Sequence, residues 1–271
     1  MAMLSDTSPE AQKVLIECYR RMPITRKGQN LAEDFAFARM LHAAGLRGRQ
    51  PGVTLAEIQA DWIQSTLGYP CPFPLREPDM EPHQQLIQKP LREVIAVLDR
   101  MQILYAIGGA VASSLYGIGR FTRDIDLTVE QFVDREQEFV QQLPPDDYFV
   151  NPDAVTSANC ERSSCNIIHF QSGFKFDIFI RKDLPFEIEA FGRRMSEILP
   201  DNPEQPLAVH SPEDVILFNL PSCRTRMWEQ PFRDILGIMQ TRSGQLDNSY
   251  LDHWAAELKV ADLLVRARQE V

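Results

Sequence analysis

No stretch of this 271-residue sequence stays apolar for the roughly 20 residues that a helix needs to cross a bilayer. Met1 to Glu10 has no basic region leading into an apolar one, so no secretory signal is expected and the cytoplasm is the default location. Cysteine is sparse, odd in number and scattered (Cys18, Cys71, Cys160, Cys165, Cys223). That argues against a disulfide framework and fits a reducing compartment. Cys160 and Cys165 with His169 nearby are the one combination with the look of zinc ligands, but their spacing is loose and a fourth ligand is missing. Positive charge is short too: 28 Lys and Arg face 38 Asp and Glu, a net charge of −10. A broad nucleic-acid-binding surface is therefore not expected, although a local basic groove is compatible with the count. Surplus acids can also belong to a metal site, where the bound ion offsets them. No internal repeat is present.

What is there reads as helices first. Ser8-Pro9-Glu10 combines a serine cap, proline at the first helical position and an acid at the positive end of the dipole. A second helix is expected over Leu31 to Ala44, stopping at Gly45, and a third is capped by Thr54 and ends near Gly68. Tyr69 to Pro82 holds five prolines, which remove backbone donors and fix φ. The expected organisation is thus a helical accessory segment (1–68), a proline-rich linker (69–82), a core (83–210) and a helical C-terminal region (211–271). Within the core, Pro90 opens an amphipathic helix and Ile103 to Ile107 forms a strand ending at Gly108-Gly109. Asp124 to Val129 is a second strand, Glu130 to Gln142 a helix, and Asn166–Phe170 with Phe174–Ile180 a hairpin turning at Ser172-Gly173. Ser211-Pro212-Glu213-Asp214 is another strong helix start. The fold class is α+β: a small mixed sheet with helices on one side, plus helical N- and C-terminal regions.

The chemistry sits in three acids. Residues two apart on a strand share a face, so Asp124 and Asp126 project together while Ile125 and Leu127 enter the core. Adjacent carboxylates repel unless a cation lies between them, and divalent metal favours such oxygen ligands. Asp177 stands in the otherwise apolar Phe174–Ile180 strand and joins the pair if the two strands are neighbours. The plainer alternatives are solvated edge-strand acids for Asp124 and Asp126, and an ion pair of Asp177 with Arg181 or Lys175. Gly108-Gly109, at a strand end opening a helix, lets phosphates approach the backbone, though a tight turn needs the same residues.

On these residues the sequence resembles the nucleotidyltransferase superfamily related to DNA polymerase β, in particular its AbiEii-like and MenT-like branch. The matching elements are Gly108 and Gly109, then Asp124 and Asp126 alternating with apolar residues, then Asp177 on a later strand. Arg120-Phe121-Thr122-Arg123-Asp124 fits the branch's Arg-x-Ser/Thr-x-Asp approach. His210–Leu217 and Arg233-Asp234-Ile235 look like its helical region. The resemblance spans about residues 90 to 240. It implies catalytic and metal-binding roles for Asp124, Asp126 and Asp177 with Mg²⁺ or Mn²⁺. It further implies nucleotide contacts from Gly108, Gly109, Arg120, Thr122, Arg123 and Asp234. Arg120 and Arg123 read equally as surface charges, and Asp234 as a partner of Arg233 or a turn cap.

The implied reaction moves a nucleoside monophosphate from a nucleoside triphosphate, ATP among them, to an acceptor hydroxyl, with one metal held by all three aspartates, a second by Asp124 and Asp126, and Asp177 as the expected proton acceptor. The toxin-like branch implies RNA, a tRNA end included, as acceptor, with a cognate antitoxin as partner. A small molecule or a protein hydroxyl is the alternative acceptor, and a non-catalytic nucleotide-binding or protein-interaction module the alternative class. One departure stands out. Relatives commonly carry a lysine on the helix after Pro-Glu-Asp, where this chain reads Leu217-Phe218-Asn219-Leu220. Asn219 cannot neutralise triphosphate, which leaves Arg224 or Arg226 as candidates.

Overall fold

The computed structural model describes residues 7–68, 70, 89–199, 202, 204–224 and 230–271. The expected linker, apart from Pro70, lies outside the described residues, as does Arg226.

Three helices open the chain: α1 (Pro9–Arg21), α2 (Ile24–Arg49) and α3 (Leu55–Leu67). Their starts follow local chemistry. The Ser8 hydroxyl accepts from the Ala11 N–H at 3.1 Å, and Thr54 with Glu57 closes a reciprocal capping box. Gly68 ends α3 in the left-handed region, as expected. Gly45, by contrast, does not stop α2. It lies inside the helix, where a Cβ would come within 1.9 Å of the Leu115 carbonyl oxygen. The glycine serves close packing of one helix on another, which a sequence cannot separate from a helix end.

The core alternates further: α4 (Lys89–Arg100), β1 (Tyr105–Ile107), α5 (Gly109–Tyr116), β2 (Asp124–Val129), α6 (Glu136–Gln141), β3 (Tyr148–Val150), α7 (Pro152–Glu161), β4 (Ser164–His169) and β5 (Lys175–Ile180). Then come α8 (Pro185–Gly192), β6 (Met195–Glu197), β7 (Leu207–Val209) and α9 (Pro212–Asn219), followed by a 3-10 turn (Leu220–Arg224). The chain finishes with α10 (Gln230–Thr241), α11 (Asn248–Glu257) and α12 (Ala261–Gln269). The expected helix over Glu130 to Gln142 is cut to α6, because Asp134 takes a positive φ of 67° just before it.

Seven strands form one mixed sheet in the order β3-β4-β5-β2-β1-β7-β6. The pairs β2–β5 and β1–β7 are parallel and the other four antiparallel. The fold is α+β with helical regions at both ends. Ile125, Leu127 and Val129 of β2 and Phe176, Ile178 and Ile180 of β5 are buried together. Phe37, Met40 and Leu41 of α2 belong to the same hydrophobic core. No helix among the described residues is long and apolar enough to cross a membrane.

Candidate active site

The centre of the sheet decides where the acids go. β2 and β5 run parallel in a register that sets Asp124 opposite Lys175 and Asp126 opposite Asp177. Because alternate residues share a face, these four side chains form two adjacent rows on one side of the sheet. β4 then sets Asn166 opposite Asp177. The hairpin forms as expected, with Gly173 at φ 70° allowing the reversal.

The Gly-Gly turn closes on this face. The Gly108 N–H donates to the Asp126 carbonyl at 2.9 Å, and Gly109 opens α5 with φ 49°. A Cβ at Gly109 would stand 1.6 Å from Asp126 Oδ2. The missing side chain is therefore the space in which the Asp126 carboxylate lies, at the start of a helix. Gly108 in turn backs onto the buried His210 ring, whose Cδ2 would be 3.5 Å from a Cβ there.

Exposure divides the three acids. The Asp124 side chain is 60% exposed, whereas that of Asp177 is 4% exposed. Both Asp177 oxygens are engaged: Oδ1 accepts from Asn166 Nδ2 at 2.7 Å and Oδ2 from Lys175 Nζ at 2.7 Å. Lys175 Nζ also lies 3.7 Å from Asp124 Oδ1 and donates to Thr7 Oγ1 at 2.8 Å. Burial works against the Lys175 charge, but its hydrogen bond to Asp177 and the fields of Asp177, Asp124 and Asp126 prevail and hold its pKa above the ordinary lysine value. Burial lifts the Asp177 pKa, against the pull of Lys175 and Asn166.

These contacts bear on metal. Asp124 presents an open carboxylate on this face beside that of Asp126, and such oxygen ligands suit a divalent ion that completes its shell with triphosphate oxygens. Joint ligation by all three aspartates is not assembled. Among the described residues no three His, Cys, Asp or Glu side chains are grouped to hold a metal ion, since Lys175 and Asn166 take both Asp177 oxygens. The same holds for Cys160, Cys165 and His169: Cys160 is exposed, Cys165 buried with its thiol pushed up to about 12 by burial, and His169 bonded to Ser172.

The other expected nucleotide contacts are turned inward. Arg120 pairs bidentately with Asp234, Nε to Oδ1 at 3.0 Å and Nη2 to Oδ2 at 2.9 Å, so two expected ligands satisfy each other and tie the loop before β2 to α10. Arg123 donates to Asp34 of α2 at 2.6 Å, to the Tyr19 hydroxyl at 3.1 Å and to the Ser172 carbonyl at 3.2 Å. That guanidinium joins the N-terminal helices to the hairpin. Thr122 Oγ1 hydrogen-bonds the Asp124 backbone and shapes the entry into β2. Arg224 donates to the Lys259 carbonyl and to Asp262.

The sequence presents Lys175 only as a structural partner of Asp177, Ser8 only as a helix cap and Asn166 only as the start of a hairpin, and gives Thr7 no role. Lys175 was within reach, since it precedes Asp177 by two on the same strand. Asn166 and Ser8, whose N–H donates to Asn166 Oδ1 at 2.9 Å, depend on register and on distant packing. Cavities of about 320 Å³ beside His42 and Arg49 and about 760 Å³ beside Cys18 and Phe149 are lined by none of the three acids.

No family model matches the chain, and no curated protein is similar to it in sequence. Solved structures show a distant likeness. The antibiotic-resistance factor ANT(2'')-Ia superposes with a TM-score of 0.40 at 14% identity, over 66% of this chain and 95% of that one. An antigenic nucleotidyltransferase-like protein from Paracoccidioides brasiliensis superposes with a TM-score of 0.40 at 18% identity, over 66% of this chain and 91% of its own.

Proposed function

We propose that this chain is a metal-dependent nucleotidyltransferase that moves a nucleoside monophosphate from a nucleoside triphosphate to an acceptor hydroxyl. One observation carries the reading: Asp126 faces Asp177 across parallel strands while its carboxylate fills the space left by Gly109. An acidic face abutting a side-chain-free helix start is a place where phosphate and a divalent ion can be held together.

Asp124 and Asp126 are the residues that hold Mg²⁺ or Mn²⁺ in this reading. The bound ion supplies positive charge to the triphosphate oxygens and to departing pyrophosphate. The Gly108-Gly109 turn lets those oxygens approach the backbone. The acceptor oxygen attacks the α-phosphorus and its proton passes to water at the exposed Asp124 end of the face, because Lys175 and Asn166 hold both oxygens of the buried Asp177. The bond from the α-phosphorus to the bridging oxygen breaks, and pyrophosphate leaves with that electron pair. Arg120, Thr122, Arg123 and Asp234 act indirectly, by fixing the approach to β2.

RNA, a tRNA end included, is the acceptor we assign, with a cognate antitoxin as partner and the cytoplasm as location. The support is the motif's resemblance to the toxin-like branch. The test is to incubate the protein with each labelled triphosphate, Mg²⁺ or Mn²⁺ and total RNA, and to follow both label and pyrophosphate. Label in RNA with stoichiometric pyrophosphate supports the whole reading. Pyrophosphate without labelled RNA moves the acceptor to a small molecule or protein, and triphosphate binding without pyrophosphate leaves a non-catalytic module.

A further inference from the structure

We propose that Lys175 stands in the place of a second cation, so that the chain carries out its transfer with a single divalent ion. This rests on the nucleotidyltransferase reading above and goes further, because it fixes how the site balances its charge.

The geometry comes from strand register. Lys175 precedes Asp177 by two on β5 and faces Asp124 on β2, so its stem rises from the middle of the acidic face. The ammonium reaches Asp177 Oδ2 at 2.7 Å, Thr7 Oγ1 at 2.8 Å and Asp124 Oδ1 at 3.7 Å. Two of the ammonium's three donors are thus bonded, to Asp177 and Thr7, while Asp124 lies within ion-pair range. Asp177 is as fully engaged, since its other oxygen accepts from Asn166 at 2.7 Å. Lys175 and Asp177 are 5% and 3% exposed, so neither reorients by moving into solvent. A divalent ion that bridged Asp177 and Asp124 would have to occupy the space of Nζ, and one placed beside it would meet a positive charge at close range.

The rest of the site agrees. Asp124 is open, with Asp126 beside it at the Gly109 gap, so the accessible seat for an ion that takes further ligands from triphosphate is at Asp124. Among the described residues, the helix after Pro-Glu-Asp carries Asn219 in place of a cation, and Arg224 is engaged with Asp262. Lys175 brings a positive charge to the face from the sheet. Thr7 and Ser8 hold the assembly from outside, through Lys175 and Asn166 respectively.

Counting ions tests this without relying on turnover. Mn²⁺ is titrated into the full chain with the α,β-methylene analogue of ATP, and bound ion is measured from the loss of the free Mn²⁺ paramagnetic signal. The wild type is expected to bind one ion per chain, Asp177→Asn also one, and Lys175→Met two, since Asp177 and Asp124 become free to share the second. Two ions on the wild type falling to one in Asp177→Asn overturn the proposal, and so does a single ion on a folded Lys175→Met. Should Lys175→Met fail to fold, wild type against Asp177→Asn decides alone. Pyrophosphate release on ATP separates the two ideas: release with two ions bound removes only the Lys175 assignment. No bound ion and no release removes the transferase reading with it.

Discussion

The turn into α9 and the β2–β5 face both bury carboxylates beside a cation, and they are built to opposite ends. At the turn into α9, Asp214 is wholly buried and accepts from Ser211 Oγ and Tyr250 OH, both at 2.6 Å. Its neighbour Glu213 accepts from the Asp247 N–H at 3.0 Å and from Arg193 at 3.2 Å. Arg193 lies over the Tyr250 ring with its guanidinium carbon 3.8 Å from the centroid. These contacts are all internal, and hydroxyls and an N–H share the acids' demand with one guanidinium. On the β2–β5 face, Asp177 and Asp124 share the Lys175 ammonium, and Asp124 is left 60% exposed. A buried acid network with its partners complete holds a fold together, while one short of positive charge and open on one side is ready to take an ion.

The contrast breaks most sharply if both clusters respond alike to losing a charge. Asp126→Asn is expected to lower pyrophosphate release by about 10³-fold, the scale for removing one electrostatic contact at a reacting centre. The metal-free protein should melt no lower than wild type, because like-charge repulsion with Asp124 and Asp177 is relieved. A clear fall in melting temperature would make Asp126 a structural acid.

Arg193→Met is expected to do the reverse, costing about 3 kcal/mol of stability because it strands Glu213 and Asp214 without their cation. The value sits at the low end for a broken buried pair since 33% of the Arg193 side chain is exposed. Its urea midpoint should drop while metal-dependent release per folded molecule stays unchanged. Loss of turnover at constant stability would show that the two clusters communicate.

Gly109→Ala sharpens the comparison on the open side. The substitution meets both a positive φ and the Asp126 carboxylate. Displacing a metal-holding group by about 1 Å costs on the order of 10²-fold in rate. The backbone adds roughly 1 kcal/mol of instability. A rate that stays within a few-fold of wild type would mean that the Asp126 position against α5 is not needed.

How far the sequence could be read follows the same division between local and distant causes. β2 was legible to its ends, because alternation of acids with Ile125, Leu127 and Val129 admits one orientation. The caps at Ser8, Thr54 and Ser211 were legible because they act over three or four residues. Gly45 misled because a helix–helix contact and a helix stop ask for the same residue. The bonds of Arg120 to Asp234 and Arg123 to Asp34 span 114 and 89 residues, and nothing local distinguishes such an arginine from one aimed at phosphate. The place of Asn166 depends on the exact register of β4 against β5, which hairpin length alone leaves open.

The smallest expected effect concerns pH and the wall behind the Gly-Gly turn. His210 is 2% exposed, with Nε2 3.0 Å from Thr128 Oγ1 and its ring against Phe218. Burial, helped by the charge of Arg194, pushes its pKa down to about 4. The unfolded chain takes up this proton near pH 6.5 and the folded chain does not, so the unfolded state binds more protons between those values. Stability from this residue is therefore complete above about pH 6.5 and is lost as pH falls toward about 4, by roughly 1 kcal/mol at pH 5.5. Asp177 and Asp214, whose pKa values burial raises, contribute in the opposite sense on acidification, so the wild-type curve alone cannot isolate the histidine. The measurement is the urea midpoint of wild type against His210→Gln from pH 7.5 to 5.5, with the glutamine amide placed to meet Thr128. The wild type should lose ground relative to the variant across that range. Parallel curves would show that the His210 ring takes a proton in the folded state. The strand end carrying Gly108 would then rest on a wet surface, and the Gly-Gly turn would lack the rigid backing that the proposed phosphate site requires.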